Sequence, residues 1–233
     1  MSGTPNFFIA TEYTNSLSTP NSTPVFLNEP VVTFPLDTLW SYNPLPFDAD
    51  GDSLHWIIDT PAVAFGQYVA GYSTPPGNSN GPLSMNSQTG EITWSPSQVG
   101  NYAISILVEE YRNGIQIGEI RRDMQLIVVP DTASMNLITP SAPQTAITAG
   151  QSVNLNFQVQ SQNPQAALGL SAIGDPFELT NSNANFAVSG SGTSTLSGNF
   201  TWTPTTSDAR DRAYRVVVRA TDGKFSYDYT LLI

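Results

Sequence analysis

The hydrophobic positions of this chain recur at every second residue, which is the period of a β-strand. Apolar side chains alternate with small or polar ones from Tyr102 to Val108, from Val153 to Val159 and from Tyr214 to Ala220. No window shows the repeat of an amphipathic helix with capping residues at its ends. The 18 prolines and 17 glycines interrupt the sequence too often for long helices. The pattern therefore predicts an all-β fold.

A turn signal lies between two of the predicted strands. Asn113-Gly114 supplies two residues that readily adopt positive φ, as a type I′ hairpin turn requires. We therefore predict that one strand ends near Arg112 and that its antiparallel partner begins near Ile115. Many short strands with frequent turns are typical of a β-sandwich.

One sequence motif occurs twice in the chain. Residues 90–96 (Gly-Glu-Ile-Thr-Trp-Ser-Pro) match residues 198–204 (Gly-Asn-Phe-Thr-Trp-Thr-Pro) in the type of side chain at each position. The copies lie about 110 residues apart, the size of one immunoglobulin-type sandwich. The repeat predicts two tandem immunoglobulin/cadherin-like β-sandwiches, with Trp94 and Trp202 at equivalent core positions. One large barrel with a chance duplicate is the alternative.

The repeat also suggests where the modules begin and end. We place the boundary within Pro130–Ser134, so that the first sandwich spans 24–130 and the second spans 131–233. Residues 1–23 hold a short strand pattern followed by a stretch rich in Ser, Thr, Asn and Pro. We assign them to the closing strand and linker of a preceding module, and we expect the chain to be a segment of a longer protein.

The composition excludes several classes of function. Asp and Glu number 19 against 8 Lys and Arg, a formal net charge of -11, so no concentrated basic surface is expected for nucleic acid or anionic lipid. There is no cysteine and a single histidine, His55, which excludes thiol catalysis and mechanisms that need two histidines. No apolar run approaches the ~20 residues of a membrane span. We predict no membrane insertion and no enzymatic activity.

The densest acidic cluster predicts a calcium site. Asp48, Asp50 and Asp52 alternate around Gly51 in one turn and offer the hard oxygen ligands that Ca²⁺ prefers. Glu110 continues the inward face of its strand to the end of the sandwich where this turn lies, so we expect it as the fourth ligand. The alternative is that these aspartates cap turns by accepting backbone N–H bonds.

The second copy provides an internal control for the acidic cluster. Its equivalent loop, residues 162–166, has no carboxylate, and Asp222 matches Glu110 without acidic partners. Calcium is therefore predicted in the first domain only, where it would stiffen the junction with the module that precedes it.

Aromatic residues support a different hypothesis, a surface on which sugar rings stack. We consider four candidates for such a platform: Trp40, Tyr68, Tyr72 and Tyr111. Single aromatic residues on sandwiches are common, however, and the residues alone do not decide between this hypothesis and ordinary packing. His55 alternates with Leu54 and Trp56, so we expect it to point outward.

Several motifs together resemble a known group of modules. Asp-Ala-Asp-Gly-Asp-Ser-Leu at 48–54 is followed by Thr-Gly-Glu-Ile-Thr-Trp-Ser-Pro at 89–96 and Gly-Asn-Tyr at 100–102. In this order they resemble cadherin/dystroglycan-like immunoglobulin modules of large Bacteroidota cell-surface proteins, which include adhesins and gliding-motility-associated proteins exported by the type IX system. The similarity is strongest over 21–130. It implies a secreted or cell-surface location.

The resemblance and the composition together indicate a non-catalytic role. We predict a structural or adhesion segment that spaces or presents a binding region, with neighbouring modules of the same chain and a surface glycan or protein as partners. The alternative function is a glycan-binding accessory module of a secreted polysaccharide-degrading enzyme. Binding to glycans that depends on Tyr72 or Tyr111 would favour this alternative.

Overall fold

The computed structural model describes residues 8–14, 20–140, 146–190, 192 and 194–233. Strands make up 52% of the described residues. The described residues contain no α-helix, only two 3₁₀ turns at Asp175–Phe177 and Thr206–Asp208. Antiparallel sheets pack together in the manner of a β-sandwich, so the all-β prediction is confirmed. Within the described ranges, no helix is long and apolar enough to cross a membrane.

The chain divides into two compact units. Unit 1 comprises residues 1–40 and 46–130, and unit 2 comprises residues 41–45 and 131–233. The sequence-based division at residue 130 coincides with the main point of separation. It did not anticipate that residues 41–45 group with unit 2. There the backbone N–H of Asn43 donates to Asp228 (3.1 Å) and its side-chain amide donates to Thr230 (3.0 Å).

The first twelve strands belong to unit 1, apart from Ser41 and Tyr42 of β4, which group with unit 2. In chain order they are β1 (Ile9–Tyr13), β2 (Val25–Phe26), β3 (Thr33–Pro35), β4 (Trp40–Tyr42), β5 (Pro46–Phe47), β6 (Ser53–Asp59), β7 (Ala62–Ala64), β8 (Gln67–Tyr68), β9 (Ser84–Met85), β10 (Ile92–Trp94), β11 (Gly100–Arg112) and β12 (Ile115–Val129). The larger sheet has the order β1-β12-β11-β6, and β3 also pairs with β12; a second sheet has the order β4-β10-β9.

Two long strands dominate the larger sheet of unit 1. β11 and β12 pair antiparallel along their whole length, and Arg112 faces Ile115 at the turn. Asn113 and Gly114 have φ values of 53° and 78°, which confirms the predicted hairpin. The hairpin brings the end of β11, with Glu110, beside the start of β6.

The first strand is an edge strand of unit 1. β1 pairs antiparallel with β12, with Ile9 opposite Arg122 and Tyr13 opposite Gly118. Sequence analysis assigns this segment to a preceding module. In the structure it adds to unit 1 because β12 is 15 residues long and offers backbone donors and acceptors beyond the part that β3 covers.

Unit 2 is formed by the remaining strands. They are β13 (Met135–Ile138), β14 (Val153–Ser161), β15 (Gly169–Gly174), β16 (Asn185–Gly190), β17 (Thr195–Trp202), β18 (Arg215–Thr221) and β19 (Ser226–Leu232). One sheet has the order β13-β14-β17-β16 and the other β15-β18-β19. In both units the first strand of the final hairpin (β11 or β18) pairs with one earlier strand (β6 or β15), and the strand that ends in tryptophan (β10 or β17) is an interior strand of another sheet.

The two tryptophans of the repeat occupy comparable core positions. Trp94 is fully buried and meets Tyr102 of β11 edge to face, with ring centroids 5.9 Å apart. Trp202 is also buried, and its ring lies 4.7 Å from that of Tyr214, at the start of β18. Each indole therefore joins the two sheets of its own unit, as the repeat predicts.

Candidate functional site

The acidic turn between β5 and β6 brings three carboxylates together. One oxygen each of Asp48, Asp50 and Asp52 lies within 4.8 Å of the other two. Asp48 and Asp52 are buried and Asp50 is exposed. Gly51 has a φ of 81°, a conformation that closes the turn and that L-residues rarely adopt. Three like charges this close repel each other unless protons or cations compensate them.

Part of this turn is held by backbone N–H groups that donate to aspartate side chains, which is the capping arrangement given above as the alternative to a calcium site. The backbone N–H of Asp52 donates to one Asp48 oxygen (2.8 Å), and the N–H of Ser22 donates to Asp50 (2.5 Å). Each bond satisfies a backbone donor and fixes the side chain that accepts it. The other oxygen of Asp48, Oδ2, is buried and has no hydrogen-bond partner within the part of the chain that the structure describes. Burial raises the pKa of Asp48, and the Asp52 and Asp50 charges raise it further.

Arg112 supplies positive charge at this turn. Its Nε and Nη2 atoms donate to the two oxygens of Asp52, at 2.8 and 2.6 Å, which is a bidentate pair. Nη2 also lies 3.9 Å from Asp50. Sequence analysis named Arg112 only as the start of the hairpin and missed this role. Its position two residues beyond Glu110, at the same end of the sandwich, was the available signal.

Glu110 lies beside the aspartates, as expected, but its carboxyl group is buried and its pKa is raised. The side chain is fully buried; Oε1 accepts from the Asn21 amide (2.8 Å), whereas Oε2 has no hydrogen-bond partner among the described residues. Burial raises the pKa of Glu110 to about 7, a shift that the Asn21 bond opposes and that the charges of Asp48 and Asp52 strengthen. Glu110 does not belong to the group of oxygens within 4.8 Å of one another.

The strand opposite makes room for the Glu110 carboxylate. Gly118 pairs with Glu110 across the β11–β12 ladder. A Cβ atom at Gly118 would stand 2.7 Å from Oε2 of Glu110, so any other residue here would require the Glu110 carboxylate to shift. The sequence did not place Gly118 or Asn21 at this site, because both reach Glu110 through strand pairing and chain crossing rather than through sequence proximity.

The donor set fits a hard divalent cation only in part. Asp48 Oδ2 and Glu110 Oε2 are buried oxygens without hydrogen-bond partners in the described ranges, and such groups are costly unless a proton or cation compensates them. Asp50 is exposed and offers one further oxygen. Both oxygens of Asp52, by contrast, already accept from Arg112. A cation bound here would therefore rest on Asp48, Asp50 and Glu110, and it would share Asp52 with Arg112 or displace Arg112.

The matching position in unit 2 is satisfied within the unit. Asp222 accepts from the backbone N–H groups of Ser134 (2.8 Å), Phe225 (2.8 Å) and Lys224 (3.1 Å). Burial tends to raise the pKa of Asp222, but these donors outweigh it and the pKa is lowered. Asp222 and Glu110 thus lie at equivalent positions, but the pKa of Asp222 is lowered whereas that of Glu110 is raised.

Replacing Asp222 by alanine is expected to destabilise unit 2 by about 1–3 kcal/mol, because partly buried N–H groups would lose their acceptor. Since the pKa of Asp222 is lowered on folding, its contribution is present above the unfolded-state pKa and is lost as the pH falls. Urea unfolding of the wild type and the variant at pH 7 and pH 3 measures both effects. A deficit that is as large at pH 3 as at pH 7 would contradict this assignment.

The aromatic candidates do not offer four exposed rings. Trp40 is buried against Phe34, the Tyr72 hydroxyl donates to the Ala103 carbonyl, and the Tyr111 hydroxyl donates to Glu109. Tyr68 alone among the four is well exposed, at 53%. His55 points outward as expected and lies 2.9 Å from Glu109 on the neighbouring strand.

Neither a scan against protein-family models nor a search of curated proteins finds a match to this chain. The resemblance to cadherin-like surface modules therefore stays a prediction from the motifs quoted above.

Proposed function

We propose that this chain is a non-catalytic structural and adhesion segment of a large extracellular bacterial protein, which spaces or presents a binding region. The observation that supports the proposal is the recurrence, in both units, of two sheets joined by a buried tryptophan, Trp94 in unit 1 and Trp202 in unit 2. Antiparallel sandwiches whose cores are tied by such residues suit a repeated load-bearing module. Catalysis would need converging acid and base groups at a cleft.

We further propose that Ca²⁺ binds the acidic turn of unit 1 through Asp48, Asp50 and Glu110, with Asp52 shared with Arg112. The support is the pair of buried oxygens, on Asp48 and Glu110, to which no described residue donates a hydrogen bond. A bound cation would neutralise them and would hold the turn before β6 to the end of β11. Unit 2 offers no such oxygens at Asp222, so the effect would be confined to unit 1.

Calcium is expected to raise the stability of unit 1 and to leave unit 2 unchanged. A ligand that binds only the native state at 100 times its dissociation constant adds about 2.7 kcal/mol. Thermal unfolding in chelator and in calcium, followed by hydrogen exchange of peptides from each unit, measures this. Glu110→Gln should reduce the calcium-dependent shift, whereas Asp222→Asn, its counterpart in unit 2, should leave the shift intact.

Force spectroscopy separates the mechanical proposal from the metal proposal. A load-bearing segment should show a distinct unfolding event for each unit, and calcium should raise the force for the event of unit 1. Two events without a calcium effect would reject only the metal site. Absence of any resolvable unfolding event would reject the mechanical role and would leave the calcium result to stand on its own.

The glycan-binding accessory module is the second candidate function. The aromatic platform that first suggested it has a single exposed member, Tyr68. The outer face of the β13-β14-β17-β16 sheet in unit 2 supports this function better.

A further inference from the structure

The outer face of one sheet in unit 2 is uncharged. Along β14 the inward residues are buried, and the outward positions carry Asn154, Asn156, Gln158 and Gln160. All four side chains are neutral amides, each with a donor and an acceptor group. Outer faces of sheets in soluble proteins usually mix Lys, Glu, Arg and Asp among such residues.

The neighbouring strand continues the same composition. The outward positions of β17 are Thr195, Ser197, Asn199 and Thr201, and they lie directly opposite the four amides of β14. The Asn199 amide nitrogen donates to the side-chain oxygens of Asn154 and Asn156, at 2.7 and 2.8 Å. These bonds engage the side-chain oxygens of Asn154 and Asn156, so the NH₂ groups of these two residues remain available to a ligand.

The outer strands of the sheet extend this face. Asn185 and Ser189 of β16 pair with Thr201 and Ser197, and Asn136 of β13 pairs with Gln160. Beside Asn136 and Gln160 lies a concavity of about 540 Å³ whose lining, among the described residues, consists only of Ser, Thr, Asn and Gln. None of the outward positions on these four strands carries a charge, in a chain of 19 acidic and 8 basic residues.

Unit 1 shows that the absence of charge is specific to this face. On its larger sheet, Glu109 lies opposite both His55 and Glu119 on the outer side, and Glu12 lies opposite Glu119 on β1. Ionisable groups therefore occupy a full row of that face, at positions equally remote from the core.

We propose that the outer face of the β13-β14-β17-β16 sheet binds a neutral polysaccharide. A face of fixed amide and hydroxyl groups matches the hydroxyl donors and acceptors of an uncharged sugar chain. Nucleic acids and anionic lipids need positive charge, which the face lacks. Protein interfaces are enriched in buried aromatic and apolar anchors, and the one large apolar side chain at these outward positions is Ile138.

The proposal is independent of the calcium site, which lies in unit 1. It gives the alternative function, the glycan-binding accessory module, a partner class (neutral polysaccharides) that does not depend on the aromatic platform. Because single hydrogen bonds contribute little in water, binding should depend on several neighbouring amides acting together along the chain of sugars.

Affinity electrophoresis of the whole chain tests the proposal. Native gels contain a neutral polymer (hydroxyethyl cellulose, galactomannan or dextran) or the anionic polymer alginate, and mobilities are compared with gels that lack polymer. We expect retardation by at least one neutral polymer and none by alginate. The double variant Asn156→Asp, Gln158→Glu should lower the apparent association constant by about tenfold, since two amide donors are lost.

The variant is designed to fold. Asn156 accepts from Asn199, and Gln158 accepts from Gln160 at 2.6 Å; a carboxylate at each position keeps these acceptors. Gln125→Glu, the same change at a half-buried outward position of β12 in unit 1, is the matched control and should bind like the wild type.

Three results would overturn the proposal: no retardation of the wild type by any neutral polymer, retardation unaffected by the double variant, or equal loss in Gln125→Glu. Sedimentation of the wild type as a dimer that the double variant dissociates would assign the face to self-association and would also overturn it.

Discussion

Truncation of Trp94 to alanine is expected to lower the free energy of unfolding of unit 1 by about 3–5 kcal/mol. The indole is completely buried and contacts rings from two directions: Tyr102 at 5.9 Å and Phe34 at 5.7 Å between centroids. Alanine would leave a cavity between the sheets that the long strands cannot close without breaking their ladder. Hydrogen exchange of peptides in β10 and β11 across a urea gradient measures the loss.

Two further variants control this result. Phe65→Ala removes an aromatic ring that is 69% exposed and should change stability by no more than about 0.5 kcal/mol. Substitution of each tryptophan by phenylalanine removes only its indole N–H and part of its ring. The Trp202 N–H donates to the Ser182 carbonyl (2.7 Å), whereas the Trp94 N–H has no hydrogen-bond partner among the residues that the structure describes. Trp202→Phe should therefore cost more than Trp94→Phe. A cost for Trp94→Ala as small as that for Phe65→Ala would refute the shared core plan.

Unit 1 is expected to lose stability as the pH rises from about 4.5 to about 7 when calcium is chelated. Folding raises the pKa of Glu110 to about 7, so the native state holds a proton that the unfolded state releases at lower pH. The stabilisation is fully present below about pH 4.5 and is gone above pH 7. We expect a loss of about 2 kcal/mol, less than the full shift implies because Glu110 lies near the solvated turn.

The variant Glu110→Gln isolates the group responsible. The amide retains an acceptor for Asn21 and supplies a permanent donor towards the aspartates. Its unfolding free energy should therefore vary less between pH 4.5 and 7, and it should exceed the wild-type value at pH 8. Glu109→Gln, the adjacent carboxylate on the outer face, is the control and should retain the wild-type slope. If the free energy of unfolding of the wild type does not fall between pH 4.5 and 7, folding does not raise the pKa of Glu110 and the prediction is wrong.

The part of the fold that follows from local pattern was predictable. Alternating residues such as Val153 to Val159 specify strands because successive side chains point to opposite faces of a sheet. Asn113-Gly114 specifies a hairpin because both residues tolerate positive φ. The motif copies at Trp94 and Trp202 specify equivalent core positions because they share spacing and side-chain type.

The candidate site was predictable only in outline. The spacing of Asp48, Asp50 and Asp52 within one turn brings their oxygens together whatever the rest of the chain does. The partners of these residues come from elsewhere: Arg112 crosses from the hairpin, Asn21 from a preceding segment, and Gly118 from the adjacent strand. No local pattern encodes those encounters.

The sequence by itself therefore determined that this protein is all-β, that Trp94 and Trp202 fill comparable core positions and that one turn is acidic. Tertiary structure alone decided that Arg112 pairs with Asp52, that one buried oxygen of Glu110 has no partner among the described residues, and that residues 41–45 group with unit 2. The reason is physical: side-chain alternation and turn propensity act between neighbours along the chain. Charge compensation and desolvation instead depend on groups that only strand pairing brings within a few ångströms.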